Sequence, residues 1–274
     1  MAEEAKGRET MIKAEDLHVV FNPGTAIETR ALRGLGLSLP EGQFVTVIGS
    51  NGSGKSTFLN SLAGEVTPDS GRIMIGDEDV TKWPTPKRAG LVARVFQDPM
   101  AGTCEALSIE ENLALASSRG RRRGLSAAVS ADLRDQFREK ITSIGLGLEG
   151  RLGDRMGLLS GGQRQALSLV MATLNPMKVL LLDEHTAALD PKTAAFVMEL
   201  TDKLVGDGNL TTLMVTHSMR QALDHGDRTV MLHEGKVVLD VAGDERRGMK
   251  VEDLLHMFER VRGEEIDDDA LILG

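Results

Sequence analysis

Cysteine and aromatic residues are scarce in this sequence of 274 residues, which has one cysteine, one tryptophan and no tyrosine. The single Cys104 excludes an intramolecular disulfide framework and is typical of a reducing compartment, where we expect it to be a small buried apolar residue. With 3% aromatic residues, the sequence offers neither the stacking platforms of single-strand nucleic-acid binders nor an aromatic belt for a membrane interface.

Long apolar runs are also missing. Residues 43–54 and 165–177 are among the longest charge-free windows, and both are shorter than the roughly 20 apolar residues that cross a bilayer. The N-terminal residues 1–16 alternate in charge and lack the apolar stretch of a signal peptide. We therefore expect any membrane role to be peripheral.

Positive charge is in deficit, because 32 Lys and Arg residues face 41 Asp and Glu residues, which gives a formal net charge of -9. Nucleic-acid affinity depends on clustered basic residues, so this balance argues against a nucleic-acid partner. The basic segment Arg119–Gly124 is predicted to be a solvated loop, with contact to lipid headgroups or a partner as the alternative. The acidic segment Glu264–Asp269 is predicted to be an exposed tail.

Strand and helix patterns alternate along the chain, which predicts an α/β fold. The runs Gln43–Ile48, Val179–Leu182 and Thr211–Val215 have the uninterrupted apolar character of strands buried on both faces of a parallel sheet. Between about residues 98 and 165 the pattern is mostly helical, and Ser108 with Glu111 forms a capping-box pattern. This region is predicted to be an inserted helical subdomain.

A phosphate-binding motif follows the first of these strands. Residues 49–57 read GSNGSGKST, which fits G-x-x-x-x-G-K-[ST] between a strand and a helix. Its glycines allow backbone N–H groups to surround an anion, while Lys55 reaches the β- and γ-phosphates and Ser56 can ligate Mg²⁺. The predicted nucleotide-binding residues here are Gly49, Ser50, Asn51, Gly52, Ser53, Gly54, Lys55, Ser56 and Thr57.

Three further side chains are expected at the same edge of the sheet. Asp183 and Glu184 follow the second strand, and His217 follows the third. Because parallel strands end at one edge, Asp183 is placed to hold Mg²⁺ through water and Glu184 to orient or deprotonate an attacking water. His217 can bond the γ-phosphate or position Glu184, although a histidine there, taken alone, is more often structural.

The segment Leu159–Gln165, LSGGQRQ, resembles the signature sequence of the ATP-binding cassette (ABC) ATPases, and other motifs then fall in that family's order. Phe21 resembles the aromatic residue that stacks on adenine, and Gln97 resembles the Q-loop glutamine. Asp190 resembles the D-loop aspartate, and His217 the switch histidine. The resemblance covers about residues 13–240.

The resemblance implies a phosphate-loop (RecA-like) parallel core sheet with an antiparallel β edge region and the inserted helical subdomain at about 98–165. Residues 1–12 and 241–274 would be extensions. It also implies a dimer in which two ATP molecules lie head to tail between two cassettes. Cross-subunit nucleotide contacts are then expected from Ser160, Gly161, Gly162, Gln163 and Asp190. The catalytic residues are expected to be Glu184, His217 and Gln97, and the Mg²⁺ ligands Ser56, Gln97 and Asp183.

The implied function is an ATP-hydrolysing subunit, with ATP and Mg²⁺, on the cytoplasmic face of a bacterial membrane permease. Separate cassettes of this kind are mostly importers, here for a small solute such as an amino acid, with an extracytoplasmic binding protein as a further partner. The alternatives are an exporter subunit and a soluble assembly ATPase of the iron–sulfur scaffold type. A ribosome-linked cassette is disfavoured by the acidic balance and the single cassette.

One position departs from the family pattern, because His185 stands where proline usually follows the catalytic glutamate. Loss of proline raises the conformational entropy of the unfolded chain, which lowers the free energy of unfolding by at most about 1 kcal/mol. A titratable side chain next to Glu184 leads us to expect a pH dependence of ATP hydrolysis.

Overall fold

The structure, a computed structural model, describes residues 9–120 and 129–260. In chain order, the strands are β1 (Thr10–Phe21), β2 (Thr29–Pro40), β3 (Phe44–Ile48), β4 (Ser70–Ile75), β5 (Glu78–Asp79), β6 (Val92–Val95), β7 (Val179–Asp183), β8 (Thr211–Val215), β9 (Arg228–His233) and β10 (Lys236–Ala242). The helices are α1 (Lys55–Ala63), α2 (Thr85–Arg88), α3 (Ile109–Ser117), α4 (Ala131–Thr142), α5 (Gly161–Thr173), α6 (Pro191–Gly208), α7 (Met219–Asp224), α8 (Gly243–Arg247) and α9 (residues 251–260).

A six-stranded sheet in the order β10-β9-β3-β8-β7-β6 forms the centre of the protein. All its neighbouring pairs are parallel except β10 with β9. The three predicted strands are β3, β7 and β8, and all residues of β3 and β8 are buried. Asp183 lies opposite Val215 in the register of β7 and β8, so the carboxyl ends of these strands meet at one edge. The predicted α/β fold class is confirmed.

A second, antiparallel sheet has the order β2-β1-β4-β5 and provides the predicted antiparallel region. Phe58, Leu59 and Leu62 of α1 are fully buried between this sheet and the central one. Strand β1 begins at Thr10, three residues before the predicted start of the ATPase unit at residue 13, and Ile12 is fully buried. An apolar side chain in a strand interior belongs to the core rather than to an extension.

The helical subdomain has its own apolar core, in which Ile109 and Leu113 of α3 pack with Phe137 and Ile141 of α4. The predicted capping box opens α3, because the Ser108 hydroxyl accepts from Glu111 N and the Glu111 carboxylate accepts from Ser108 N. Helix α5 contributes to this core and also to the core beneath the central sheet. The predicted boundary near residue 165 therefore falls inside a helix shared by both units.

The basic and acidic segments are described only in part. Arg119 donates from Nη2 to the carbonyl of Ala172 at 3.0 Å, and burial lowers the pKa of its guanidinium. It therefore does not belong to a freely solvated loop. Residues 121–124 of the basic segment and the acidic residues 264–269 lie outside the described residues.

Cys104 is exposed, so the expectation that it is a buried apolar residue was wrong. Its backbone is held by Asn112, because Cys104 N donates to Asn112 Oδ1 at 2.8 Å and Asn112 Nδ2 donates to Cys104 O at 3.0 Å. Asn112 is the buried residue at this place. The loop is therefore held to α3 by the Asn112 side-chain amide.

The residues after the central sheet are attached to it rather than extended away from it. Strand β10 continues to Ala242, beyond the predicted boundary at 241, and Arg246 donates to Thr229 Oγ1 at 2.9 Å. Leu254 of α9 packs with Ile48 and Met231. No helix in residues 9–120 or 129–260 combines the length and apolar character needed to cross a bilayer.

Candidate nucleotide-binding and hydrolytic site

The phosphate loop connects β3 to α1, and three of its glycines have positive φ. A Cβ on Gly49 would lie 2.2 Å from Leu232 O, and one on Gly54 would lie 2.6 Å from Ala31 O, so a side chain is sterically excluded at both positions. Gly54 is the N-cap of α1, and no side chain caps this helix end. The loop therefore presents the N-terminal end of α1, with its partial positive charge, to an anion.

Lys55 lies inside the loop. Its Nζ atom donates to Gly49 O at 2.8 Å and to Ser50 O at 3.0 Å, and the residue is buried. Burial lowers the pKa of its ammonium group, while the charges of Glu184 and Asp183 oppose that shift. The Lys55 ammonium group thus lies at the place where the sequence motif predicts phosphate oxygens.

A cleft of about 320 Å³ opens over the loop. It is lined by Phe21, Thr29, Ala31, Asn51, Gly52, Ser53, Gly54, Lys55, Ser56, Thr57, Glu184 and His217. Phe21 is 40% exposed at the end of β1, so its ring is available to a flat ligand. One aromatic ring beside a polar loop matches the two parts of a nucleotide, a base and a phosphate chain.

Glu184 and His217 form a close pair across the ends of β7 and β8. His217 Nε2 lies 2.6 Å from Glu184 Oε1. Glu184 has a φ of 45°, a left-handed conformation that is uncommon outside glycine, and its N–H donates to Val215 O at 3.0 Å. The carboxylate is mostly buried, whereas His217 is 47% exposed. The pair can therefore hold a water molecule and accept its proton at the wall of the cleft.

Asp183 is bound by Arg94, which the sequence reasoning did not select. Arg94 Nη2 lies 2.6 Å from Asp183 Oδ2, and Nη1 contacts Asn60 Oδ1 at 2.8 Å and Glu65 Oε2 at 2.9 Å. The only sequence signal was a charged residue inside the short apolar strand VARV. Neither Asp183 nor the exposed Gln97 is among the residues that line the cleft.

The residues near the loop suit Mg²⁺, which takes oxygen ligands from one or two protein groups together with substrate phosphates and water. Ser56 lines the cleft, and the Asp183 carboxylate is close enough to Lys55 to oppose the lowering of the Lys55 pKa by burial. The described residues contain no group of three or more His, Cys, Asp or Glu residues that could hold a metal. This is compatible with Mg²⁺ held largely through the substrate.

The signature residues lie at the start of α5 and not in the cleft. The Ser160 hydroxyl accepts from Gln163 N at 3.3 Å, and Gln163 Oε1 accepts from Ser160 N at 3.2 Å. Asp190 caps α6 by accepting from Thr193 N at 3.2 Å. Gly162 lies so close to Thr193 that a Cβ would be 2.0 Å from its methyl carbon. The signature and the D-loop segment are thus packed against each other.

His185 does not face the cleft, so the reason for expecting it to affect hydrolysis was wrong. The side chain is buried, and its Nε2 lies 3.0 Å from Thr201 Oγ1 of α6. Burial lowers its pKa to about 4, with His225 acting in the same direction and Asp202 opposing it. The imidazole is therefore neutral at physiological pH.

Two glutamines that the sequence reasoning passed over connect the site loops. Gln221 accepts from Thr216 Oγ1 at 2.9 Å and donates to Thr186 Oγ1 at 3.2 Å. It thereby joins the loop that carries His217 to the loop that carries Glu184. Gln165 Nε2 donates to Phe96 O at 3.0 Å, which joins α5 to the residue before Gln97. Such links depend on three-dimensional neighbours and give no periodic signal.

The fold and the cleft define a phosphate-loop ATPase. A family model described as ABC transporter matches residues 32–187, more than half of the chain. The chain belongs to the ABC transporter family and is an ATP-binding, ATP-hydrolysing subunit of that family, which confirms the resemblance found in the sequence.

Two relatives illustrate the similarity. A tyrosine transport ATP-binding protein of Clostridioides difficile (strain R20291) is 47% identical over 225 residues, 82% of this chain and 89% of that protein. The thiamine import ATP-binding protein ThiQ of Jannaschia sp. (strain CCS1) is 35% identical over 204 residues, 74% of this chain and 84% of that protein.

Among solved structures, the ATP-binding cassette MJ0796 in a dimeric post-hydrolysis state with ADP and Pi matches with a TM-score of 0.73. The two chains are 28% identical, and the match covers 87% of this chain and 100% of the MJ0796 chain. The similarity in fold therefore extends over nearly the whole of the described protein.

Proposed function

We propose that this chain is the ATPase subunit of a bacterial importer, in which two cassettes close around two Mg-ATP and drive a membrane permease. The observation that carries the proposal is that the functional residues of the chain lie in two separate places. The phosphate loop and the Glu184–His217 pair share one cleft, whereas Ser160–Gln163 lies outside it. A second copy would bring the missing contacts to each cleft.

In this proposal, the loop N–H groups and Lys55 bind the β- and γ-phosphates, and Phe21 stacks on adenine. Mg²⁺ would be held by Ser56, Asp183 and Gln97, and when bound it supplies charge neutralisation at the phosphate oxygens. These groups orient the substrate in the cleft.

Hydrolysis then depends on Glu184, which orients the attacking water and accepts its proton, while His217 holds the Glu184 carboxylate in place through the 2.6 Å contact. Ser160, Gly161, Gly162, Gln163 and Asp190 contact the nucleotide of the other subunit. Closure and reopening of the pair transmit the work to the permease.

The proposed cargo is a small solute, with an aromatic amino acid as the first candidate. The support is the name of the relative from Clostridioides difficile, a tyrosine transport ATP-binding protein that is 47% identical. The proposed partners are a multi-span permease and, through it, an extracytoplasmic binding protein. The chain would lie on the cytoplasmic face of the inner membrane.

The test is to tag the Glu184→Gln protein, solubilise native membranes gently, and identify the co-purifying proteins by mass spectrometry. We expect a multi-span permease, recovered more fully with Glu184→Gln than with Lys55→Ala, because the first variant retains nucleotide and the second binds it more weakly. Recovery of only a soluble complex from the cytosolic fraction would contradict the transport proposal and favour an assembly ATPase.

The cargo is tested separately by reconstituting the recovered complex in vesicles with ATP on the cytoplasmic side. We expect ATP-dependent accumulation of labelled tyrosine, and none with the Glu184→Gln complex. Accumulation in the opposite direction would identify an exporter, and transport of a different solute would remove the amino-acid assignment.

A further inference from the structure

We propose that Arg94 is a positioning residue for the magnesium site, which holds Asp183 in the orientation that its metal-binding role requires. This inference rests on the proposed role of Asp183. The Arg94 side chain is only 11% exposed, and its Nη2 atom lies 2.6 Å from Asp183 Oδ2. Arg94 thus bonds one carboxylate oxygen, Oδ2, and the proposed metal-bound water would be held by the other, Oδ1.

The other contacts of Arg94 explain why the orientation is specific. Nη1 reaches Asn60 Oδ1 at 2.8 Å and Glu65 Oε2 at 2.9 Å, so one guanidinium connects the end of β7 to α1. Asn60 lies four residues after Ser56, and residues four apart share one face of a helix. Arg94 therefore ties Asp183 to the helix face that carries the other proposed protein ligand.

The planar guanidinium is suited to this task because it donates in two directions from a fixed fork. Its ring contact strengthens that fixation, since the Arg94 guanidinium lies 4.7 Å from the centroid of the Phe96 ring. A lysine would keep the charge but could not hold Asn60 and Asp183 with two separated nitrogens. Loss of such supporting partners lowers metal affinity by roughly 10- to 100-fold in other metalloproteins.

The experiment measures Mn²⁺ binding by electron paramagnetic resonance in the presence of a non-hydrolysable ATP analogue, together with the half-saturating Mg²⁺ concentration of the ATPase. For Arg94→Met we expect Mn²⁺ affinity about 10-fold weaker or more, with affinity for the metal-free analogue unchanged. Arg94→Lys should recover part of the loss. Asn60→Ala, which removes one anchor and keeps the Asp183 contact, should shift affinity in the same direction by less.

The matched control is Arg228→Met, because Arg228 is similarly buried and paired with Asp240 but lies at the opposite end of the central strands. It should lower thermal stability without changing Mn²⁺ affinity. If Arg94→Met, or Asn60→Ala in the event that the first variant does not fold, behaves like Arg228→Met, Arg94 is only structural. If Asp183→Asn also leaves Mn²⁺ affinity unchanged, the proposed metal role of Asp183 fails as well.

Discussion

Helices α1 and α5 both begin at motifs of glycine and serine, but their N-terminal ends are prepared differently. The first turn of α1 follows Gly54, and no side chain caps it. The first turn of α5 is closed by a reciprocal capping box between Ser160 and Gln163. No side chain occupies a donor at the start of α1, whereas at the start of α5 the N–H groups of Ser160 and Gln163 are already bonded within the chain.

This difference has an energetic consequence for the proposed dimer. An N-cap hydrogen bond stabilises a helix by about 1 kcal/mol. The Ser160 hydroxyl accepts from Gln163 N, so its own O–H can donate to the γ-phosphate of a second subunit while this cap, and its contribution to stability, is kept. The phosphate loop binds within one chain, so we expect nucleotide to bind first to the loop and closure to follow.

The largest predicted effect separates ATP hydrolysis from ATP binding at the uncapped N-terminal end of α1. Glu184→Gln should reduce turnover by roughly 10²- to 10⁴-fold, because it removes the general base, while ATP affinity stays near wild type. Steady-state phosphate release and equilibrium ATP binding measure the two quantities. Lys55→Ala is the contrasting variant and should lose affinity by about 10- to 100-fold, since a charge-assisted hydrogen bond contributes about 1.5–3 kcal/mol. Hydrolysis by Glu184→Gln at the wild-type rate would exclude Glu184 as the base.

The second prediction concerns the N-terminal end of α5, which the capping box of Ser160 and Gln163 closes. In a Glu184→Gln background, Ser160→Ala should weaken the ATP-dependent dimer by roughly 100-fold, because the dimer loses two hydrogen bonds to charged groups, each worth about 1.5 kcal/mol. Single-chain ATP binding should not change. Light scattering with and without ATP measures the dimer.

The chain offers a matched control for that experiment, because Ser108 closes a capping box with Glu111 at the start of α3 in the same way. Ser108→Ala and Ser160→Ala should each lower the free energy of unfolding by about 1 kcal/mol. Only Ser160→Ala should affect the dimer. An equal loss of dimer in both variants would mean that stability, and not a phosphate contact, explains the result.

The sequence predicted the open end more completely than the capped one. The positions of the phosphate loop, Glu184 and His217 could be predicted because each follows a strand whose apolar pattern is visible in the local sequence. Arg94 and Gln221 were missed, since their roles depend on which strands and loops become neighbours. Cys104 and His185 were misread because residue type suggested burial for the first and sequence position suggested access to the site for the second. In the structure Cys104 is exposed and His185 is buried against Thr201.

A smaller effect concerns the packing that joins the capped end to the D-loop segment. Gly162→Ala should destabilise the fold by ~1–3 kcal/mol, because its Cβ would lie 2.0 Å from the methyl carbon of Thr193. Gly161→Ala is the matched variant, since its Cβ would meet only Leu189 Cδ2 at 3.8 Å. Urea unfolding of the two proteins should therefore differ. Equal midpoints would show that Thr193 rotates away and that α5 and α6 are not closely fitted there.

The smallest predicted effect concerns His185, which lies beside Glu184 in sequence but packs against α6. Its folded-state pKa of about 4 is below the ordinary histidine pKa of 6.5 that it has in the unfolded chain, so between these values the unfolded chain binds the proton and the native protein does not. Stability should therefore fall as pH decreases from 6.5 towards 4. In His185→Leu the fall in urea midpoint between pH 7 and pH 5 should be smaller than in wild type. The pH profile of hydrolysis should stay the same, because the imidazole contacts Thr201 rather than the cleft. A changed profile would mean that protonation of His185 in the core affects Glu184 in the cleft.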